Sequence, residues 1–227
     1  MHHKARGVHH IAFCTADMKG QLEFFSDVLG MPLVAIFPMH GVPGGIHCFL
    51  EASPRCLMSF VQLPAMADIE IEIGKTHAGN GALPSAPGTL QHLALVVDSD
   101  EELLAMRDRI RSRGINVIGP LDHGMCRSMY FAGPEGLTLE IATSDEPIDP
   151  KHWLDPAAAA EVGIDAETMQ RLANPAAYQN EGEPVAQPEY DESKPHMVYP
   201  PAVYQQLLKM SDDAVREQAS FSEPPIP

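Results

Sequence analysis

Basic residues and long apolar runs are scarce in this sequence. The 227 residues include 15 Lys and Arg against 31 Asp and Glu, a formal net charge of −16 at pH 7. The basic residues form no cluster, whereas binding to nucleic acid depends on clustered Lys and Arg. No apolar run approaches the roughly 18 residues that a membrane-spanning helix requires. The composition therefore predicts a protein that binds neither nucleic acid nor a membrane.

Cysteine is also sparse, and export signals are lacking. The four cysteines, Cys14, Cys48, Cys56 and Cys126, stand singly in apolar runs, without CxxC spacing or the density of a disulfide scaffold. We expect them to be reduced core residues. The N-terminal MHHKARGVHH lacks the basic-then-apolar layout of a signal peptide, so the expected location is the cytoplasm.

Acidic residues and prolines are concentrated in the last third of the chain. Residues 145–227 contain 16 acidic and 5 basic residues, a net −11 of the total, and 12 of the 21 prolines. Short helices are predicted at 155–162, 165–173 and 201–217. The segment is too aromatic for a typical disordered tail. We expect an ordered, acidic, proline-rich C-terminal arm that packs on the body or across a subunit interface.

The first 64 residues contain one helical pattern among four apolar runs. The run at 8–14 (VHHIAFC) predicts a strand. Apolar residues at helical spacing follow it, namely Met18, Leu22, Phe25 and Leu29. Three further runs, separated by turns that contain Gly and Pro, lie at 31–38, 45–52 and 56–64. The predicted order is strand, helix and three strands.

The same order recurs after a connector at 65–88. The run at 89–97 (TLQHLALVV) resembles VHHIAFC, with His92 in the place of His10 at an offset of 82. A second helical pattern follows it. Strands are predicted after this helix at about 115–119, 126–132 and 137–142.

Residues 7–144 therefore look like a tandem duplication of a βαβββ module. The modules are predicted at 7–64 and 89–144. The fold class is expected to be α+β, with the two modules forming a partly open curved sheet around a metal site and the arm following.

The stretch 123–140 (HGMCRSMYFAGPEGLTLE) is predicted to form a hairpin around Pro134-Glu135-Gly136. In its second strand, Glu140 alternates with Leu139 and Ile141. Period-2 geometry sends Glu140 to the face opposite these aliphatic side chains. A buried carboxylate there requires a cation, whereas an exposed edge strand would leave it solvated.

Three candidate metal ligands occupy matched strand positions: His10, its duplicate His92, and Glu140 on the closing strand. Two histidines and one carboxylate can hold Fe(II) or Mn(II) on one face and leave open positions. The alternative for the histidines is a core position satisfied by backbone carbonyls. The metal site is favoured because His10 and His92 occupy equivalent positions in the two repeats and a carboxylate lies on the closing strand.

At these residues the chain resembles the vicinal oxygen chelate superfamily of glyoxalases, extradiol dioxygenases, epimerases and drug-resistance proteins. The hairpin is most like the extradiol dioxygenase signature at His123, Met129, Tyr130, Pro134, Gly136 and Glu140. It departs from that signature at Leu121 and Gly133. The resemblance covers about residues 7–144.

The resemblance implies Fe(II)-dependent cleavage of a catechol-like ring by dioxygen, with Mn(II) or another divalent metal as alternatives. His47 would be the acid/base histidine, since a near-neutral pKa suits that role. Tyr130 and His123 would donate hydrogen bonds to the metal-bound oxygens. The expected partners are a small aromatic diol, dioxygen and a second copy in a homodimer or higher homo-oligomer.

Other activities of the superfamily remain open at this point. Glyoxalase-like enzymes use a fourth ligand from the first module, and subtracting the repeat offset from Glu140 leads to no carboxylate. Gln62 could serve instead. The alternative function is a glyoxalase- or epimerase-type lyase or isomerase that uses a non-redox divalent metal, and drug sequestration without a metal triad is a further one.

Overall fold

The computed structural model describes residues 4–178, 182 and 184–226. The chain divides into two units. One is a body of residues 5–175, and the other comprises residue 4 and the described residues from 176 onward. The body holds both modules and also the first three helices of the predicted arm.

The first module is a four-stranded sheet with a helix on one face. Its elements are β1 (His10–Cys14), α1 (Met18–Glu23), β2 (Leu33–Pro38), β3 (Ile46–Ser53) and β4 (Cys56–Gln62). The strand order is β1-β4-β3-β2, with β1 parallel to β4 and the other pairs antiparallel. α1 begins at Asp17, whose carboxylate accepts a hydrogen bond from the Gly20 N–H. A wider π turn at Phe24–Val28 continues it.

The second module repeats this topology. Its elements are β5 (Leu93–Val96), α2 (Asp100–Ser112), β6 (Ile118–Asp122), β7 (Arg127–Ala132) and β8 (Thr138–Thr143). The order is β5-β8-β7-β6, again with the first strand parallel to the last. The predicted α+β class and the tandem βαβββ duplication are confirmed. The two sheets are open, and neither closes into a barrel.

Several strands begin a few residues later than their apolar runs, and β6 shows the reason most clearly. β6 starts at Ile118, whereas the pattern predicted a strand from 115. Ile115 and Val117 pack against the core between α2 and β6. The Val117 carbonyl accepts a hydrogen bond from Arg111 of α2. These residues are apolar because they are buried in a connector, which a periodicity argument does not distinguish from a strand.

Each sheet has a helix-covered face and a helix-free face. Met58 and Phe60 of β4 are buried in the core on the helix-covered side, as are Leu139 and Ile141 of β8. The intervening side chains, including Glu140, lie on the opposite face. The predicted orientation of Glu140 agrees with its register beside Ala94 and with its contact to His92.

The helix-covered sides of the two sheets contribute side chains to one core. Their buried side chains belong to one core cluster, and a cavity of about 370 Å³ between them is lined by Ile11 and Met58 on one side and Leu95 and Ile141 on the other. Arg109 of α2 also donates to the Val28 carbonyl at 2.6 Å, which ties the ends of the two helical segments together. The two modules are therefore held together by apolar packing and by this hydrogen bond.

A carboxylate fixes this arrangement from the β7–β8 turn. Glu135, in a left-handed conformation with φ 53°, accepts a hydrogen bond from the Thr15 hydroxyl. It also accepts bonds from the Ala16 N–H at 2.7 Å and from Gln21 Nε2 at 2.8 Å. The turn of the second module is thus clamped to the start of α1 in the first.

The predicted arm is helical in short pieces. Within the body it forms α3 (Pro150–Trp153), α4 (Pro156–Glu161) and α5 (Ala166–Ala173), and in the second unit α6 (Pro201–Lys209) and α7 (Asp212–Ala219). The single helix expected at 201–217 is broken, because the Ser211 hydroxyl accepts a bond from the Ala214 N–H and starts a new helix. Whether the second unit covers the body or a partner remains a prediction.

Two expectations from the composition can also be compared with the structure. All four cysteines are free, but Cys14 is exposed and only Cys48 is fully buried. The expectation of four core cysteines is therefore wrong for Cys14, which lies on the helix-free side of β1. Within the described part of the chain, no helix combines the length and apolarity needed to cross a membrane.

Candidate functional site: two half-sites on opposite sheets

The helix-free face of the second sheet carries a buried carboxylate beside a histidine. Glu140 is only 5% exposed. Its Oε2 lies 3.0 Å from Nε2 of His92, which directly precedes β5. In register, Glu140 stands between Ala94 on β5 and Tyr130 on β7. The small Ala94 side chain leaves space over the carboxylate.

Tyr130 extends this group toward the loop before β7. Its hydroxyl lies 3.0 Å from Nε2 of His123. Burial raises the pKa of the Tyr130 phenol, and the neighbouring charge of Glu140 raises it further. The phenol therefore stays protonated at neutral pH and can donate a hydrogen bond. We call His92, Glu140, Tyr130 and His123 the carboxylate half-site.

The loop that carries His123 is backed by α3. Gly124, at φ 79°, leaves room for the Trp153 ring, since a Cβ at this glycine would lie 3.1 Å from the indole. A larger side chain at position 124 would displace either the ring or the loop. Trp153 thus packs beside the loop that carries His123, a contact that no pattern in the sequence indicated.

The helix-free face of the first sheet carries a second polar group. Nε2 of His47 lies 2.6 Å from the hydroxyl of Ser59, which is fully buried. The Phe49 ring lies between the two histidines of this face, with centroids 4.5 Å from His47 and 5.5 Å from His10. Burial lowers the pKa of His47, and the charge of His10 lowers it further. We call His10, His47, Phe49 and Ser59 the histidine half-site.

Strand register defines which residues of the two half-sites correspond. Ala12 on β1 pairs with Ser59 on β4, and Ala94 on β5 pairs with Glu140 on β8. Since the sequence match equates Ala12 with Ala94, Ser59 occupies the position of Glu140. The offset taken from the first strands missed this position because the connections between strands differ in length.

Gln62 does not belong to the histidine half-site. It lies on β4 in phase with Met58 and Phe60, which face the core, and its Oε1 accepts a hydrogen bond from the Met18 N–H at 3.0 Å. Gln62 is therefore not a fourth metal ligand, because its amide accepts a hydrogen bond at the start of α1 on the helix-covered side.

The structure brings some of the predicted residues together and separates others. His92 joins Glu140, and His123 joins Tyr130, as expected. His10 and His47 lie on the other sheet, beside Phe49. Among residues 4–178, 182 and 184–226, no three His, Cys, Asp or Glu side chains are grouped so that they could hold one metal ion. Joint ligation by His10, His92 and Glu140 stays a prediction.

The donor chemistry of the two half-sites fits a divalent transition metal. Glu140 is an almost buried carboxylate whose neighbours include no Lys or Arg among its described contacts. Such a group requires a cation or a proton. Imidazole nitrogens with one carboxylate oxygen suit Fe(II), Mn(II) and related ions. His92 and Glu140 supply two of these donors, and His10 supplies a third of the same kind.

Comparison with known proteins gives the same assignment over the two modules. Residues 7–141 match the model of the Glyoxalase/Bleomycin resistance protein/Dioxygenase superfamily. A protein of Bacillus subtilis (strain 168) named "Putative ring-cleaving dioxygenase MhqA" is 29% identical over 146 residues. That alignment covers 63% of this chain but only 42% of the relative, so the chain spans less than half of the relative's length.

Several solved structures are also similar. One is TnmS3, an antibiotic binding protein from Streptomyces sp. CB03234, with 20% identity and a TM-score of 0.45, covering 63% of this chain and all of that one. Another is a glyoxylase/bleomycin resistance protein/dioxygenase domain from Frankia sp. EAN1pec, with 11% identity and a TM-score of 0.49, covering 62% and 99%. By the family-model match over both modules, the chain belongs to the glyoxalase/bleomycin resistance protein/dioxygenase superfamily.

Proposed function

We propose that this protein is a metal-dependent extradiol-type dioxygenase that opens a catechol-like ring with dioxygen. One observation carries the proposal: Glu140, His92, Tyr130 and His123 form one contiguous polar group on the second sheet, with Glu140 almost fully buried. The similarity to the Bacillus relative named as a ring-cleaving dioxygenase supports the same reaction class.

His10, His92 and Glu140 would hold the metal, for which Fe(II) is the preferred candidate. A bound metal would supply Lewis-acid and redox chemistry toward the diol and dioxygen. Glu140, which is almost fully buried, would balance part of the metal charge. His92 is oriented by its contact with Glu140 on one side of the ring and with Gln91 on the other.

The remaining residues would handle protons and developing charge. His47 is neutral at neutral pH because of its lowered pKa, and it can accept a proton from a diol hydroxyl. The Ser59 hydroxyl fixes the ring through Nε2. Tyr130, protonated and held next to His123, would donate a hydrogen bond to a substrate oxygen as its negative charge increases.

A lyase or isomerase reaction with a non-redox metal is the second candidate. The observation that favours it is the His47–Ser59 pair, since a neutral, oriented imidazole equally suits removal of a proton from carbon. Such a reaction consumes no dioxygen. Oxygen uptake therefore separates the two functions.

The test is anaerobic purification with metal analysis, followed by oxygen-electrode and absorbance assays over a panel of catechols. Ring fission predicts that one molecule of dioxygen is consumed per diol and that a yellow product forms. Glu140→Ala should abolish both, while Glu146→Ala, which removes an exposed carboxylate just after β8, should leave both unchanged. The second candidate would be established instead if Fe(II)-loaded protein converts no catechol but turns over thiol adducts or acyl thioesters without oxygen uptake.

A further inference from the structure

The second unit contains a cavity of about 250 Å³ that is walled by aromatic rings. The rings belong to Tyr190, His196, Tyr199 and Tyr204, and we call this space the tyrosine cavity. Its volume lies below the roughly 300–1,000 Å³ of pockets that enclose drug-sized molecules. The tyrosine cavity therefore suits a small chemical group, and it contains no residue of the two half-sites.

The ring of Tyr204, in the first turn of α6, is the centre of this group. Its centroid lies 5.7 Å from that of Tyr190, with the two planes at 89°. It also lies 5.7 Å from that of Tyr199, with the planes nearly parallel at 14°. The His196 ring stands 5.4 Å from Tyr190 at 79°. The cavity thus has aromatic faces in two perpendicular directions.

A hydrogen-bonded turn fixes the side of the cavity that precedes α6. The carboxylate of Asp191 accepts hydrogen bonds from the Ser193 N–H at 2.9 Å and from the Ser193 hydroxyl at 2.7 Å. The Lys194 N–H donates to the Asp191 carbonyl at 3.0 Å. Nδ1 of His196 lies 2.8 Å from the Lys194 carbonyl oxygen, which orients the ring. A ligand would therefore meet walls that are already positioned, which lowers the entropic cost of binding.

The aromatic rings of the tyrosine cavity are not the interior of a packed core. Edge-to-face contact by itself stabilises clustered rings, so the cluster also contributes to the stability of the second unit. A packed core, however, closes over its side chains and leaves few voids. Tyr190 and Tyr199 are each 41% exposed beside the open cavity. Parts of these rings are therefore accessible to a ligand.

The chemistry of the lining favours a cation. The face of an aromatic ring is electron-rich and attracts a cation within about 6 Å of its centroid. Among the residues that the structure describes, the lining includes the carboxylate of Glu192 but no Lys or Arg. Residues 145–227, which contain the cavity, hold 16 acidic and 5 basic residues. This negative charge raises the local concentration of cations.

Among cations, a quaternary ammonium group matches the aromatic walls best. Ca²⁺ and Mg²⁺ require a shell of oxygen ligands, which rings do not supply. A primary ammonium group has three N–H donors that lose water on entering an aromatic cavity. A trimethylammonium group has no N–H donor, and its methyl groups carry the charge to the ring faces.

We infer that the tyrosine cavity binds a trimethylammonium group, with Tyr190, Tyr199 and Tyr204 against its methyl groups and Glu192 balancing its charge. Two sources present this same group: a small solute such as choline, and the trimethylated lysine side chain of a peptide. The inference is independent of the proposed metal site, because every residue that it uses belongs to the second unit.

Calorimetric titration of the full chain with choline tests the inference. The matched probe is 3,3-dimethylbutan-1-ol, which has the same shape without the charge. We expect saturable binding of choline and an affinity for the neutral alcohol that is lower by about tenfold or more. Equal affinity for the two probes would overturn the inference, since it would show an apolar pocket that does not recognise charge.

A peptide arm identifies the source of the group. One peptide carries a single trimethyllysine, and its control carries the same lysine unmodified. Tighter binding of the trimethylated peptide than of choline assigns the cavity to a modified protein, whereas tighter binding of choline assigns it to a free solute. Absence of saturable binding for both choline and the trimethylated peptide would refute the trimethylammonium site.

Two pairs of variants locate the binding. Tyr204→Leu removes a ring face and should weaken choline binding at least about fivefold, whereas Tyr204→Phe keeps the face and should stay within about twofold of the wild type. Glu192→Gln should weaken binding measurably, and Glu217→Gln, an exposed position on α7, should not. Circular dichroism checks the fold of each variant. If Tyr204→Leu misfolds, the exposed Glu192 still gives the answer: wild-type affinity in Glu192→Gln would contradict a cation in the tyrosine cavity.

Discussion

The two modules share their topology and register but differ at the positions that matter chemically. Ser59 in the first module occupies the position of Glu140 in the second, and Phe49 occupies that of Tyr130, since each pairs with the corresponding residue on the neighbouring strand. Both small-residue positions, Ala12 and Ala94, are retained. The duplication supplies two sheet faces of equivalent topology, and only a few side chains distinguish them.

The difference assigns separate tasks to the two faces. The second module concentrates negative charge and hydroxyl donors around Glu140 and Tyr130. The first places two imidazoles beside an aromatic ring, with His47 held by Ser59. The Glu140 carboxylate contacts His92 and the His47 imidazole contacts Ser59, so each of these groups is held by its own module.

The largest effect is expected from exchanging the carboxylate. Glu140→Ala removes the only anionic ligand of the proposed metal site. Metal affinity should fall at least a hundredfold, because the remaining histidine ligands carry no negative charge to balance the cation. Ser59→Ala at the equivalent position should change metal affinity less than threefold. Isothermal titration with Fe(II) or Mn(II) under anaerobic conditions measures both. Equal losses in the two variants would mean that the half-sites contribute alike to metal binding, contrary to the proposal.

A second, smaller effect is expected at the aromatic pair. Tyr130→Phe removes a hydroxyl that lies 3.0 Å from His123, and we expect kcat to fall about 10- to 100-fold, in the range seen for loss of one charge-stabilising donor. KM for the diol should change little. Phe49→Tyr, at the matching position of the first module, should leave kcat within about threefold. If Tyr130→Phe and Phe49→Tyr had similar kcat values, Tyr130 would be only an aromatic strand residue without a role in the reaction.

The sequence predicted the architecture because alternation and repetition are local signals. The strand alternation at Leu139, Glu140 and Ile141 was sufficient to orient the carboxylate, and the similarity of the two first strands identified the duplication. The resemblance to a known signature assigned His123 and Tyr130 to one site, and their contact lies across the connection between β6 and β7.

The structural features that the sequence did not predict depend on contacts between residues far apart in the chain. Ser59 was overlooked because the offset between modules changes where loops differ in length, and only strand pairing shows the correspondence. Glu135 appeared to be an ordinary turn residue, although its partners Thr15 and Gln21 lie more than 110 positions away. The separation of His10 from Glu140 depends on how the modules pack, and no local pattern encodes that.

The turn residue also distinguishes the modules and gives the third prediction. Burial alone would raise the pKa of Glu135, but hydrogen bonds from Thr15, Gln21 and the backbone outweigh it and hold the pKa below its ordinary value. Glu135→Gln should cost about 1–2 kcal/mol in the free energy of unfolding, a typical value for part-exposed charge-assisted bonds. Arg55→Gln, in the exposed turn between β3 and β4, should cost less than about 0.5 kcal/mol.

The pH dependence of this effect has a definite sign. Because the folded-state pKa of Glu135 is depressed, its contribution is fully present above the ordinary carboxyl pKa near 4.5 and is lost as the pH falls through the folded value. Urea titrations of the wild type and Glu135→Gln between pH 3 and 7 measure it. The two stability curves should converge at the acid end, and curves that stay parallel would contradict a charged clamp.

The smallest effect concerns His47, which has no counterpart on the other module, where Ser128 occupies its position. Burial, and then the charge of His10, lowers the pKa of His47 below the ordinary 6.5. The unfolded chain therefore takes up this proton first as the pH falls below about 6.5, and the folded state loses stability until its own lower pKa is passed. His47→Gln should remove that loss, so its unfolding free energy should fall less steeply with acid than that of the wild type. His152→Gln, which replaces an exposed ring on α3, serves as the control and should keep the wild-type slope. Guanidinium titrations at half-unit pH steps provide the measurement. A His47→Gln variant whose stability declines with acid as steeply as that of the wild type would contradict the prediction. In that case, protonation of His47 would carry no energetic penalty in the folded protein.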